Sequence, residues 1–322
     1  MSTSTILRTR GPVYGGQIVD GMTLDTLATG LFGWDVLEGT VESTVLTAEG
    51  VTRVTDATRK TLIHSETHEV LHVPTISYAR HDYRDTLLDN LRPMVGAGLT
   101  VSGAGLLRGG RVGFVQIEAE DTHTTAGLEH APFVTAITSL DGSFATQYGT
   151  GSTALICENV LQIIRSEMAE SGMKIRHTSN SLPRVKAAAD TLALVHRIGD
   201  ATDERLARLA GVKVSEADWN RWLAAYVPEP KAGAETTRKA NTVERTRGEL
   251  RALWTADERV APWRGTGLGV LQAANTHAQH MTIVRGDTRA ARNAERAMNG
   301  ATARLDEKAI RVLSNVLTTT GI

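Results

Sequence analysis

Cysteine is almost absent: Cys157 is the only one among 322 residues. An intrachain disulfide is therefore excluded, and so is a four-cysteine zinc site. That usage fits a reducing compartment, and a cytoplasmic location is expected. Aromatic residues make up only 4% of the chain, so the core must rest on Val, Leu, Ile and Ala. No run of about 18 apolar residues occurs, so no membrane span is expected. The first residues, Met1 to Arg8, lack an apolar run as well, and no secretory signal is expected there. Lysine is scarce, 7 of the 35 basic residues, so Arg carries most of the positive charge. No Gly-x-Ser-x-Gly elbow and no Gly-Lys-Ser/Thr phosphate loop is present.

What is present is ordinary for a folded protein: 41% hydrophobic and 22% charged residues, with a net charge of −1. Near-neutrality by itself argues against a strong nucleic-acid binder. The charge is unevenly spread, however. Residues 1–150 hold 10 basic and 17 acidic side chains, a balance of −7, and residues 151–322 hold 25 and 19, a balance of +6. Opposite halves permit head-to-tail self-association, or an acidic partner for the second half.

The most informative stretch is 133–169. Asp141-Gly142 lies between two alternating runs, a strong signal for a two-residue hairpin turn, since such turns need positive φ. With Leu140 opposite Ser143, one face would carry Phe133, Thr135, Ile137, Phe144, Thr146 and Tyr148. Gly149 and Gly151 would end the hairpin. Ser152 or Thr153 would cap a central helix over 152–169, with Ile156, Val160, Ile163 and Ile164 on one side.

Before this stretch, residues 1–22 read as extended or loose. A short helix is expected over Thr23–Phe32, strands over Trp34–Leu37 and Thr40–Thr47, and a hairpin joining Thr61–His64 to Val70–Ser77. Asp82–Val95 reads as a helix, with Pro93 near its end. Leu99–Leu107 and Val112–Glu120 form a second hairpin around Arg108-Gly-Gly-Arg111. After it, helices are expected over Pro183–His196, Asp203–Ala210, Ser215–Tyr226, Lys239–Trp254, Leu268–Val284 and Thr302–Thr318. The fold class is α+β: an antiparallel β-meander with packed helices over residues 1–180, then a helical region over 181–322 with a linker near 228–238.

Candidate sites are few. His64, His68 and His72 recur at fourth places, which on a helix would suit a metal. Their neighbours are strand and turn formers, so the set is split. His277 and His280 lack the Glu of a metalloprotease motif. No metal site and no cofactor is expected. Arg108 and Arg111 flank a Gly-Gly tip, where two guanidinium groups in solvent can grip phosphates. Arg165, Lys174, Arg176 and Arg184 gather around the end of the central helix, which would also suit a helix dipole.

Taken in order, six segments resemble a phage- and plasmid-encoded family carrying a domain of unknown function numbered 932. They are Leu31-Phe-Gly-Trp34-Asp-Val36, Gly105-Leu-Leu-Arg-Gly-Gly110-Arg, Ser139-Leu-Asp141-Gly142-Ser143, Ile156-Cys157-Glu-Asn159-Val-Leu161, Ile175-Arg-His177-Thr178 and Asn275-Thr-His-Ala-Gln-His280. The chain departs from the family pattern at Leu140, Ala154, Glu158 and Val160. The family supplies no catalytic residues to carry over. Its hairpin–hairpin–helix core looks like that of phage single-strand annealing proteins, a likeness of fold. The resemblance implies single-stranded DNA binding and annealing by an oligomer, a ring or a filament. Arg108, Arg111, Arg165, Lys174, Arg176 and Arg184 are the expected contacts to DNA. A self-assembling structural module without DNA binding is the first alternative, favoured by the acidic first half. A hydrolase or metal enzyme is the second, disfavoured by the missing motifs.

Overall fold

The structure, a computed structural model, describes residues 4–9, 17–154, 160–161, 174–175, 188–230 and 237–319. Its strands are β1 (Thr5–Arg8), β2 (Gln17–Ile18), β3 (Val36–Thr47), β4 (Gly50–His64), β5 (Val70–His72), β6 (Leu99–Leu107), β7 (Val112–Ala119), β8 (His123–Thr125), β9 (Leu128–Ser139), β10 (Thr146–Ala154), β11 (Val160–Leu161) and β12 (Lys174–Ile175). Its helices are α1 (Leu24–Thr29), α2 (Asn90–Gly96), α3 (Ala188–Gly211), α4 (Glu216–Tyr226), α5 (Thr237–Ala256), α6 (Gly267–Thr276), α7 (Arg289–Met298) and α8 (Ala301–Thr319). Among the described residues no helix is long and apolar enough to cross a membrane.

The main sheet runs β11-β10-β9-β7-β6-β1-β2, with β12 beside β10 and β8 beside β9. Its pairs are antiparallel except β1–β2. Both faces are covered. Val115, Ile117, Val134 and Ala136 point to one side and join Leu87, Leu91 and Val195 in a core. Phe114, Phe133 and Ile137 point to the other side, where Ala291, Ala294 and Ala297 of α7 lie over them. Alanines at this spacing leave room for the aromatic rings. Helical elements from beyond residue 180 thus pack on both faces of the sheet. A third core joins α4, α5, α6 and α8. In it Trp219 stacks on Trp254 at 4.3 Å and on Trp222 at 4.9 Å. Such ring pairs contribute about 0.5–1.5 kcal/mol each beyond the area they bury.

Several sequence expectations hold. The short helix expected from Thr23 is α1 and the helix expected from Ser215 is α4; each opens on a reciprocal capping box, Thr23 with Thr26 and Ser215 with Asp218. The β6–β7 hairpin and the split of His64, His68 and His72 between β4, a turn and β5 also stand as read. The helix expected from Asp82 begins as a π turn over Arg84–Asp89 before α2. Pro93 has no N–H for the Asp89 carbonyl, and α2 ends within a turn of it.

Others are corrected. The Asp141-Gly142 turn is longer than two residues, because Ser139 Oγ takes the Phe144 N–H at 3.0 Å and gives its own proton to the Phe144 carbonyl at 2.9 Å. Asp141 Oδ1 accepts from the Ser143 N–H at 2.9 Å. Pairing resumes with Ile137 opposite Gln147, one residue out of the expected register. A slip of one turns side chains to the other face. Thr146 and Tyr148 accordingly leave the face of Phe133 and Ile137, and Thr146 meets Thr138 at 2.7 Å. Gly149 and Gly151 do not end the strand. They pair with Thr135 and Phe133, and the Phe133 ring lies where a Gly151 Cβ would stand, 2.7 Å away.

The central helix expected over 152–169 fails at its start: Ser152–Ala154 continue β10, and Val160–Leu161 form β11 beside it. The remaining residues of that segment lie outside the described ones. The helices expected over 183–196 and 203–210 are one helix where described, since α3 runs through Gly199 unbroken. The strands expected over 34–37 and 40–47 are the single β3. The helix expected to Val284 stops at Met281 after a π turn. Residues 5–8, within the stretch read as extended or loose, are extended and pair with β6. Helix α7 was not expected at all.

Candidate functional site

The Arg108–Arg111 turn is built on left-handed backbone. Arg108, Gly109 and Gly110 have φ of 52°, 64° and 83°. The two glycines adopt this without cost, and Arg108 does so against its side chain's preference. Its guanidinium is engaged inside the chain. Nε meets Glu295 of α7 at 2.5 Å, Nη1 lies 3.8 Å from Asp141, and the group sits over the Phe144 ring at 5.5 Å. Arg111 donates from Nε to the Leu71 carbonyl at 3.0 Å. Its Nη1 donates to the Arg108 carbonyl at 2.9 Å, and its Nη2 to the Val70 carbonyl at 2.7 Å. The two guanidinium groups, expected to stand free at a solvated tip, instead fasten the turn to its neighbours, with the Arg108 side chain 39% exposed. Lys174 pairs by its backbone with Gln147 on the outer side of β10. Arg165, Arg176 and Arg184 lie outside the described residues.

The most exposed regular element is the β3–β4 ribbon. From Val36 to Thr61 it has no buried residue. Its ladder is continuous except for a bulge, where Thr40 opposes Lys60 but Val41 opposes Asp56. Bulges of this kind bend a strand and re-aim the side chains beyond them. Near the far end Leu46 and Val51 face each other, 80% and 68% exposed, with Val45 and Val54 also exposed nearby. At the base of the ribbon the Trp34 indole stacks on His64 at 3.9 Å. Beside the indole is a cleft of about 160 Å³ lined by Phe32, Trp34, Arg80, Asp82, Tyr83 and Arg84 among others. Arg80 and Arg84 each donate to a backbone carbonyl there, Val36 at 2.6 Å and Phe32 at 3.0 Å.

A third feature lies at the β8–β9 turn. Ala126 and Gly127 both have positive φ, 51° and 75°, as a tight two-residue hairpin requires. That turn sets His123 directly opposite His130. Their rings stack at 5.3 Å. Helix α3 packs over them and presents Asp203. His123 Nδ1 lies 2.6 Å from Asp203 Oδ2, and His130 Nε2 lies 3.0 Å from Asp203 Oδ1. Thr125 also donates its hydroxyl proton to Oδ1. On its far side His130 Nδ1 meets Ser152 Oγ at 2.7 Å. Burial pulls the His130 pKa below its ordinary 6.5, against the opposing pull of Asp203. Burial would raise the Asp203 carboxyl, but the bonds from Thr125, His123 and His130 outweigh it and hold the group below its ordinary 3.8. Sequence reading missed this cluster. Ala-Gly is a weak turn signal, and Asp203 arrives from 73 residues beyond His130.

Comparison with known proteins adds the family. Residues 70–301 match the family described as Domain of unknown function (DUF932), a span that holds both the Arg108–Arg111 turn and the histidine cluster. Neither a curated protein nor a solved structure matches the chain. With well over half its length inside that match, the chain belongs to the DUF932 family.

Proposed function

We propose that the chain is a single-stranded DNA binding and annealing protein of phage or plasmid type that acts as a homo-oligomer, with the β3–β4 ribbon making the contact between copies. The ribbon carries this reading. Apolar side chains at the end of an element with no core of its own stay in water unless another surface covers them. Opposite charge balances in the two halves of the sequence favour a second copy as that surface. The DNA part rests on the resemblance to annealing proteins and on the +6 balance of residues 151–322.

A specific observation favours a second reading, an assembling module that does not hold DNA. Arg108 and Arg111 are occupied by Glu295 and by backbone carbonyls, which leaves them less able to grip phosphates.

Light scattering and a gel shift with oligonucleotides of unrelated sequence at two salt concentrations test both. The expected result is an oligomer whose binding ignores sequence and weakens with salt, by a slope of about 0.7 for each phosphate contact. The paired change Leu46→Glu and Val51→Glu is expected to give a monomer that stays folded. An oligomer that retains no oligonucleotide at low salt would leave the module reading. Wild-type protein that stays monomeric at micromolar concentration, with and without DNA, would overturn both.

A further inference from the structure

We propose that His123, His130 and Asp203 form a binding site for one divalent transition metal of the zinc class. Among the described residues this is the one group of three such side chains whose ligand atoms converge, all within 4.8 Å of one another. Two imidazole nitrogens and a carboxylate oxygen are a donor set that zinc accepts, at bond lengths of about 2.0–2.2 Å. Tetrahedral ligands at such bond lengths stand about 3.3 Å apart. His123 Nδ1 and His130 Nε2 touch the two oxygens of one carboxylate at 2.6 Å and 3.0 Å, so an ion requires the carboxylate to move outward and the two rings to turn toward it.

The surroundings are those of a held site. His130 is fully buried, and its outer nitrogen meets Ser152 Oγ, which is also buried. An outer partner of this kind fixes the tautomer and aims the other nitrogen at a metal. Thr125 holds Asp203 Oδ1 in the same way. Regular elements carry all three groups: a two-residue hairpin supplies both histidines in one cross-strand pair, and α3 supplies the carboxylate. The side chains of His123 and Asp203 remain 22% and 31% exposed, so an ion has an entry path. Three protein ligands with one open side leave a fourth position for water or for an anionic ligand.

Without a metal, the same groups would serve only as a hydrogen-bonded clamp between the hairpin and α3. Equilibrium dialysis of the full chain against zinc ion, followed by metal analysis, distinguishes the two. One zinc per chain is expected for the wild type, with a rise in melting temperature that a chelator reverses. His123→Ala and Asp203→Asn are expected to abolish stoichiometric binding. Ser152→Ala is expected to weaken it by roughly 10- to 100-fold. Circular dichroism shows whether each variant folds, and His123→Ala keeps the test open if Asp203→Asn does not fold. Cobalt in place of zinc is expected to show visible bands of tetrahedral intensity. Wild-type protein that takes up no zinc at micromolar free ion, or zinc binding unchanged in a folded His123→Ala, would overturn the proposal and leave the clamp.

Discussion

Gly199 and His123 are in contact across the α3–β8 interface: a Cβ on Gly199 would stand 2.5 Å from the imidazole Cε1 and Nε2. The helix lacks a side chain at the point where the ring lies against it, one turn before Asp203. Gly199→Ala adds helix propensity worth about 1 kcal/mol, yet in the wild-type chain it is expected to lower the melting temperature by driving the ring off Asp203. In a His123→Ala background the same change is expected to raise it. A double-mutant cycle by denaturant unfolding reads the coupling, expected at about 0.5–3 kcal/mol. Additive effects would mean that the ring does not occupy that space.

Gly142 has φ of +70°, and the nearest atom to a Cβ placed there is His72 Nε2 at 3.9 Å. There is room for a side chain, so only backbone strain opposes one. Gly142→Val is expected to destabilise the chain by about 1–3 kcal/mol, and Gly142→Ala by less. An unchanged midpoint of urea unfolding for the valine variant would show that the turn tolerates another backbone conformation.

Stability is expected to depend on pH through His81. Its side chain is buried with Nδ1 2.5 Å from Thr146 Oγ1, and burial holds its pKa below the ordinary 6.5. The unfolded chain therefore binds a proton more readily than the folded one. This contribution is full above about pH 6.5 and is lost as pH falls through the lower folded value. Urea midpoints are expected to be flat from pH 8 to 7 and to drop towards pH 5.5. His81→Gln is expected to lessen the drop without removing it, since burial lowers His72 and His130 too. An identical drop in the variant would assign the whole effect elsewhere.

Local signals in this chain were legible where the chemistry is local. Ser215-Glu-Ala-Asp announces its helix because a cap needs only residues within one turn. The Arg108–Arg111 turn is legible from Gly-Gly. The β9–β10 register is not, because a serine hydroxyl, Ser139, replaces a backbone partner and lengthens the loop. The continuity of α3 is hidden by Gly199, which reads as a break and is instead a seat for a ring from another element. The engagement of Arg108 depends on Glu295, 187 residues away, and no local pattern encodes that distance. The histidine–aspartate cluster is invisible for the same reason, and the ribbon is half visible, since in β4 Thr recurs at every third place, Thr52, Thr55, Thr58 and Thr61, and the two-residue apolar alternation of a strand is missing.

Strand β4 is one unbroken span of 15 residues. At about 3.3 Å per residue it reaches roughly 45 Å, from the exposed end at Gly50 to His64 against Trp34. Covalent backbone joins those two places, and the bulge between Asp56 and Lys60 is the elbow in its pairing with β3. One strand thus joins the exposed pair Leu46 and Val51 to His64, on which Trp34 of the cleft wall is stacked. The outer ribbon is a long tether whose inner end is a pair of stacked aromatic rings.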